Sequence, residues 1–321
     1  MFKSTITTSD VYQYETTEDG YYKLLIFKQV GVSDISPYLE TIDNAFYVKK
    51  KSNTIIVSQN GDGDFNDIQT ALDFTTNIDT KSFPITIIVY AGTYDKISTC
   101  ERKKYINDNL ASHIDYTERY ISIIGVNKND CIIKSDNGEY YTPAAEIKTN
   151  GLIKNLTFIA SHENLPTTPE NAGHKAYAIH SDYGVENCTY EDCVMISYQA
   201  PAMGIGGAQN KKIKIRNCQL YSYATSDFGT LVNHGALFYH TQPAENITGQ
   251  ELLVENCYVY SENGDKSLWI DKGSVSSLGC KITLLKNTFY GAVCKKTVDV
   301  DTDLLTEECF GNNVAILNKE G

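Results

Sequence analysis

Apolar and polar residues alternate with period two over short stretches along most of the chain, the mark of strands that bury one face and expose the other. The alternation is punctuated in a recurring way. An alternating stretch is followed by Asn or Asp, then Cys or another small-to-medium residue, then a second alternating stretch that closes on Ser or Gly. Copies stand at Leu152–Phe158, Asp192–Ser197, Ile213–Ser222, Leu253–Ser261 and Leu284–Gly291. Their spacing of roughly 25 to 40 residues is that of a solenoid. The pattern predicts an all-β fold, a right-handed parallel β-helix in which longer spacings are coils carrying inserted loops. The recurrent Asn suits a stacked turn, with its amide bonding to backbone of neighbouring coils. An antiparallel β-sandwich is the competing architecture, but sandwiches rarely repeat one dipeptide at one strand position.

A second register lies between these copies, at Ala176–Asp182, Ala202–Ala208, Ala236–Gln242 and Ser267–Gly273. Aligned in order, it stacks Tyr177 with Met203, Leu237 and Leu268, and Ile179 with Ile205, Tyr239 and Ile270, as inward columns. The columns between them would face solvent: Ala178, Gly204, Phe238 and Trp269, then His180, Gly206, His240 and Asp271. Residues 1–52 lack the repeat and read as a small N-terminal β module or attachment segment, with strands at Tyr21–Val30 and Asn44–Lys50. The β-helix domain is placed at 53–321. Within it Asp64–Phe74 predicts a helix that covers the solenoid end, N-capped by Asp64 and carrying Phe65, Ile68 and Leu72 as an apolar stripe.

A hydrophobic fraction of 41% allows a sizeable core, and a formal net charge of −12 argues against a phosphate-binding surface, hence against nucleic acid as a partner. The 23 tyrosines exceed ordinary usage and suit half-buried strand positions and wet contact surfaces. Neither a secretory leader nor a bilayer-spanning stretch is read, which places synthesis in the cytoplasm. The cysteines, nine in all, recur at one repeat position and read as small buried wall residues. No zinc pattern or other metal site is predicted, and no cofactor is implied.

Ile55–Leu72, reading IIVSQNGDGDFNDIQTAL, resembles the opening segment of pectinesterases, and further likeness follows in family order at Ile87–Tyr94, Ile121–Gly125 and Leu156–Phe158. The resemblance spans residues 54–222 and implies the pectin lyase-like β-helix. It also implies a site. The family segment G-Y-Q-D-T-L-Y, with an oxyanion-binding Gln and an acid/base Asp, corresponds to Ser197-Tyr198-Gln199-Ala200-Pro201-Ala202-Met203. Tyr198 and Gln199 match, but Ala200 stands where the acid belongs and cannot transfer a proton. The family's nucleophilic Asp finds its nearest match in Asp227, offset by two residues, and its arginine has no counterpart. The esterase route therefore reads as lost.

The outward columns offer a different constellation. Phe238 and Trp269 would form a flat aromatic platform for sugar rings, with His180, Tyr198 and Gln199 as further binding residues, and His240 beside Asp271 as a proton-transfer pair. Ordinary hydrogen bonding across an exposed strand face is the alternative for the same residues. Three functions remain open: a carbohydrate-recognising β-helix such as a phage tail spike or receptor-binding protein, trimeric and carried on a virion; a polysaccharide-acting enzyme (divergent esterase, hydrolase or lyase); and a purely structural β-helix. The partner expected in the first two is a polysaccharide or cell-surface glycan.

Overall fold

The alternating stretches become short strands, and each pairs with its equivalent one coil later rather than with its sequence neighbour. The computed structural model describes residues 20–26, 40–48, 53–99, 119–135, 143–160, 177–181, 185–198, 200–206, 212–224, 235–240, 250–262, 267–270, 281–290, 293–295 and 315–317. Among these, three parallel sheets form. The first has eight strands from Thr54–Val57 to Lys281–Leu285, and the second has eight from Gly92–Asp95 to Ala315–Leu317. The third has seven, from Ile97–Ser98 to Val293–Lys295. The chain visits the three sheets in turn, coil after coil, which is a parallel β-helix of the right-handed kind that parallel crossovers adopt.

The core is a set of columns. Ile55, Ile87, Ile123, Ile153, Tyr190, Ile215, Val254 and Leu284 stack along the inside of the first sheet, all buried. Tyr94, Ile133, Phe158, Met195, Leu220, Val259 and Phe289 do the same in the second. Each such side chain contributes on the order of 1.5–3 kcal/mol by leaving water.

The corner between the first two sheets explains the repeat. Asn155, Asp192, Asn217, Asn256 and Lys286 all adopt φ between 52° and 54°. This left-handed conformation costs most L residues about 1–2 kcal/mol, and Asn and Asp tolerate it best. One such residue turns the chain from the first sheet to the second, and the next one points inward: Leu156, Cys193, Cys218, Cys257 and Asn287. The side chains also ladder, with Asn256 Nδ2 donating to Asn217 Oδ1 at 2.8 Å. The last corner departs from the expected alignment. Lys286 takes the left-handed position, and Asn287 falls in the cysteine column. Its buried amide accepts from Cys257 N at 2.9 Å and donates to Val254 O at 2.8 Å. Cys131, Cys188, Cys193, Cys218 and Cys257 are buried free thiols, as a wall role requires.

The capping helix runs Ile68–Phe74, and its N-cap is Asp67, not Asp64: the Asp67 side chain accepts from Thr70 N at 2.7 Å. Asp64 is spent on the preceding turn, where its carboxylate accepts from Ile56 N at 2.8 Å. Ile68, Ala71 and Leu72 bury against the first coil. Gln69 fastens the helix to the edge of the third sheet, accepting from Ser98 N at 2.7 Å. At the other end Arg119 donates to Leu72 O at 2.9 Å and to Thr99 O at 2.8 Å, tying the helix C-terminus to the coil. No helix among the described residues is long and apolar enough to cross a membrane.

The chain divides into two compact units, Met1–Asn53 and Thr54–Gly321. In the first, Gly20–Ile26 pairs antiparallel with Glu40–Val48, with a bulge between Tyr22 and Leu24. The second strand starts earlier than the alternation from Asn44 indicated.

Candidate functional site

Three outer faces of the β-helix differ in what they offer a ligand. The third sheet, which carries the predicted platform, is buried on both faces over Ala145–Glu146, Ile179–Ser181, Met203–Gly206 and Leu237–Tyr239. Phe238 pairs with Trp269 as expected, but the two are only 7% and 8% exposed. Their rings meet edge-on, 68° apart at 6.0 Å, so they make neither a flat nor an accessible platform. Strand alternation reports which side faces the tube, and cannot report whether the other side is covered.

The coil holding His180 also sits two residues from its expected alignment. Ile179, not Tyr177, pairs with Met203, and Ser181 pairs with Ile205. A shift of two preserves which residues point inward, so the hydrophobic pattern fits both registers. His180 therefore stands in one column with Glu146, Gly204, Phe238 and Trp269, while His240 pairs with Gly206 two residues further along the strands. The two histidines do not share a column. The gap at Gly204 has another use: a β-carbon there would come within 3.1 Å of the Tyr177 ring. That ring in turn stacks on His180, 7° from parallel at 5.2 Å.

Glu146 is the residue that sequence reasoning missed. His180 Nδ1 lies 2.9 Å from Glu146 Oε2, both side chains almost wholly buried, and Oε1 of Glu146 has no hydrogen-bond partner. The clue was faint, since the coil with Ala144-Ala145-Glu146 has no Asn corner to set its register. The backbone of His240 is described but its side chain is not, and Asp271, Asp227 and Gln199 lie outside the described residues. Ala200, at the position of the family's acid, is buried; its N–H donates to Ser197 Oγ at 3.0 Å.

The outer face of the first sheet is polar and charged. A column of alternating sign runs Lys154, Glu191, Arg216, Glu255. Lys154 pairs with Glu191 and, at 3.4 Å, with Asp192; Arg216 Nε lies 3.0 Å from Glu255. The carboxylates beside Lys154 hold its ammonium pKa above the ordinary value. A shallow cleft of about 540 Å³ opens beside this column, between Tyr120, Ser122, Asn150, Glu186 and Thr189. Asn150 is already committed there, its Oδ1 accepting from Glu186 N at 2.7 Å and Asn187 N at 2.9 Å. Within this column the charges stand in pairs of opposite sign.

The second sheet is different. Its outer face gathers Tyr198, Tyr221, Tyr223, Tyr258, Tyr260 and Tyr290 on four successive coils, half-buried to exposed, with Tyr223 37% exposed. Tyr198 stacks on Tyr223 at 5.5 Å, Tyr221 lies 5° from parallel with Tyr223 at 6.1 Å, and Tyr260 stacks on Tyr290 at 4.9 Å. Tyr260 closes the path at 5.8 Å from Tyr223. Burial raises the pKa of Tyr221 and Tyr223, and a hydrogen bond to Glu262 raises that of Tyr260, so these phenols stay neutral well into alkaline pH. The predicted binding residue Tyr198 belongs to this strip. A signal for the rest was present: Tyr221, Tyr260 and Tyr290 each follow the left-handed corner residue by four positions. The sequence reading assigned tyrosines to half-buried strand positions and wet contact surfaces in general, and did not place these on one face.

Among the described residues no three His, Cys, Asp or Glu side chains converge as metal ligands would. No protein-family model matches the chain, and a search of curated proteins returned no match. Solved structures do resemble it. Pectin methylesterase from carrot aligns at TM-score 0.45 and 12% identity, over 75% of this chain and 69% of that one. Pectin methylesterase from Yersinia enterocolitica aligns at 0.42 and 10%, over 71% and 66%. A tailspike protein of Acinetobacter baumannii bacteriophage Fri1, a capsular polysaccharide depolymerase, aligns at 0.43 and 12%, over 78% and 48%.

Proposed function

We propose that this chain is a carbohydrate-recognising β-helix that engages a polysaccharide through the tyrosine strip of its second sheet. The observation that carries the reading is the strip itself. Tyrosine offers a sugar both apolar ring surface and a hydroxyl, and six such rings, several of them stacked on one another, stand together on a face of stacked strands. The same proposal includes the setting expected from sequence, a tail spike or receptor-binding protein acting as a trimer; a separate unit at Met1–Asn53 suits an attachment role.

Affinity electrophoresis through gels containing bacterial surface and plant polysaccharides tests the reading. Retardation of the wild-type chain by at least one polysaccharide, relieved in Tyr223→Ala, supports it; equal retardation of both proteins refutes the strip as the site. Light scattering on the full chain reads the trimer directly. A catalytic reading has one observation of its own, the buried Glu146–His180 pair with its unpartnered carboxylate oxygen. Release of reducing ends or of ester groups that vanishes in both Glu146→Gln and His180→Ala would favour an enzyme, and unchanged release in either would dismiss the pair.

A further inference from the structure

The tyrosines of the second sheet touch one another, and those contacts have a chemistry that does not depend on what the strip binds. Tyr221, Tyr260 and Tyr290 follow one another in one column, on successive coils. Tyr198 and Tyr223 stand in the next column, two residues beyond Ile196 and Tyr221, and Tyr258 lies two residues before Tyr260. Each of the six rings has a neighbour whose centroid is within 6.2 Å, so the phenols form one connected cluster. These are separations at which aromatic rings are in contact. Phenols are among the most easily oxidised side chains, and an electron passes readily between rings that touch.

Three observations single out one path through the cluster. Tyr223, 37% exposed, is the ring most open to a dissolved oxidant. Tyr260 lies 5.8 Å from it and donates its hydroxyl to the Glu262 carboxylate, a base placed to take the phenol proton as the electron leaves. Tyr290 stacks on Tyr260, 23° from parallel at 4.9 Å, the closest pair in the cluster.

We propose that the strip is a site of oxidative modification, in which oxidation at Tyr223 is relayed to Tyr260 and ends in a dityrosine bond between Tyr260 and Tyr290. The reagent is a one-electron oxidant in solution, used twice. In the first step Tyr223 loses an electron, Tyr260 supplies one in its place, and Glu262 takes the Tyr260 proton, leaving a neutral phenoxyl radical. A second equivalent makes the same radical at Tyr290, whose proton passes to solvent. The two radicals join by a carbon–carbon bond between ring positions ortho to the hydroxyls. The ortho hydrogens then move to the oxygens, which restores both phenols. Two electrons and two protons have left the protein, and two oxidant molecules have each gained an electron. The bond ties strand Tyr258–Ser261 to strand Thr288–Tyr290. Coils of a solenoid hold each other through nearest-neighbour contacts, so a covalent tie between two of them resists their separation.

Brief illumination of the full chain with a ruthenium tris-bipyridyl complex and persulfate supplies the oxidant. Mass spectrometry of peptides from the gel-purified monomer then locates the bonds. In the folded chain the Tyr260–Tyr290 link is expected to exceed every other tyrosine pair several-fold, and in urea it loses that preference. Cross-linked protein should unfold at a higher urea concentration than untreated chain. Tyr260→Phe and Tyr290→Phe, which keep the ring, abolish the bond; Tyr223→Phe and Glu262→Gln each lower its yield several-fold. A link that forms chiefly between Tyr198 and Tyr223, which stack at 5.5 Å, or equally in folded and unfolded chains, would overturn the assigned site. So would bonds found only between separate molecules. Unchanged yield in Tyr223→Phe would overturn the relay, and unchanged yield in Glu262→Gln the proton acceptor. None of these results depends on polysaccharide binding, so this site and the glycan reading stand or fall separately.

Discussion

The corner residue Asn217 gives a prediction in which the usual order of two substitutions reverses. At ordinary strand positions Gly is less stable than Ala by about 0.5–1 kcal/mol, because Gly loses more freedom on folding. Asn217 has φ 54°, where an alanine β-carbon crowds the following carbonyl at a cost of about 1–2 kcal/mol. Either replacement also loses the exposed 2.8 Å bond from Asn256 Nδ2, a contribution of about 0.5–1 kcal/mol. The backbone bond from Asn217 N to Glu255 O, 3.0 Å, survives in both. Asn217→Ala should therefore cost about 2 kcal/mol, and Asn217→Gly about half to one kcal/mol less. Lys214, on the flanking strand and facing outward, supplies the control pair in which Gly is the worse residue. Urea unfolding followed by circular dichroism compares the four midpoints at unchanged slope, which guards against stepwise loss of coils. If Asn217→Ala proves as stable as Asn217→Gly, the left-handed corner is not what the recurrent Asn is for, and the explanation of the repeat fails.

Lys286 occupies the same corner without an amide, so Lys286→Asn should raise the urea midpoint, by a stability gain of a few tenths to about 1 kcal/mol. Gly125→Ala should be severe, more than about 3 kcal/mol by the same assay, because the new β-carbon would lie 2.1 Å from Asn155 O, a backbone atom. Burial pushes the Cys188 thiol up to about 12, and Cys218 upward as well, so both should resist a disulfide-exchange reagent at neutral pH until the chain is unfolded. The folded pKa of Tyr190, Tyr221, Tyr223 and Tyr260 is raised too. The stability these thiols and phenols contribute is full below their unfolded values, near 8.5 and 10, and declines as pH rises toward the folded ones. A melting temperature that holds steady from pH 8 to 11 would contradict that sign. Loss of His180 alone should destabilise by a few kcal/mol, since it strands Glu146 in a buried setting, and Glu146→Gln should recover part of it in a double-mutant cycle.

The fold was legible because the β-helix writes each coil in the same short grammar. A left-handed corner selects Asn or Asp, the next site selects a small inward residue, and alternation on either side assigns the faces. Lys286 and Asn287 show where that grammar slips: a paired amide inside the tube can mimic the corner Asn one position late. The third sheet was legible only to parity. Ile179 fits either of two apolar columns, so the shift that moved His180 away from His240 left no trace in hydrophobicity. Burial of Phe238 and Trp269 was equally hidden, since an outward residue reads the same whether water or protein lies over it. The tyrosine strip escaped for the opposite reason: its members were visible one by one, but their adjacency exists only across coils.

The corner between the first two sheets has a consequence for how such a chain can change. Among the described strands, six of its seven occurrences are two residues long, whereas the links from the second sheet to the third range from one residue to eighteen. A two-residue link has no slack, and one extra residue there would turn every following side chain of the strand inside out. The longer links can gain or shed length without touching the register. The molecule thus behaves as a fixed ruler along the edge between the first two sheets, and new recognition loops can be written on the other two edges, where links from the third sheet back to the first also vary in length.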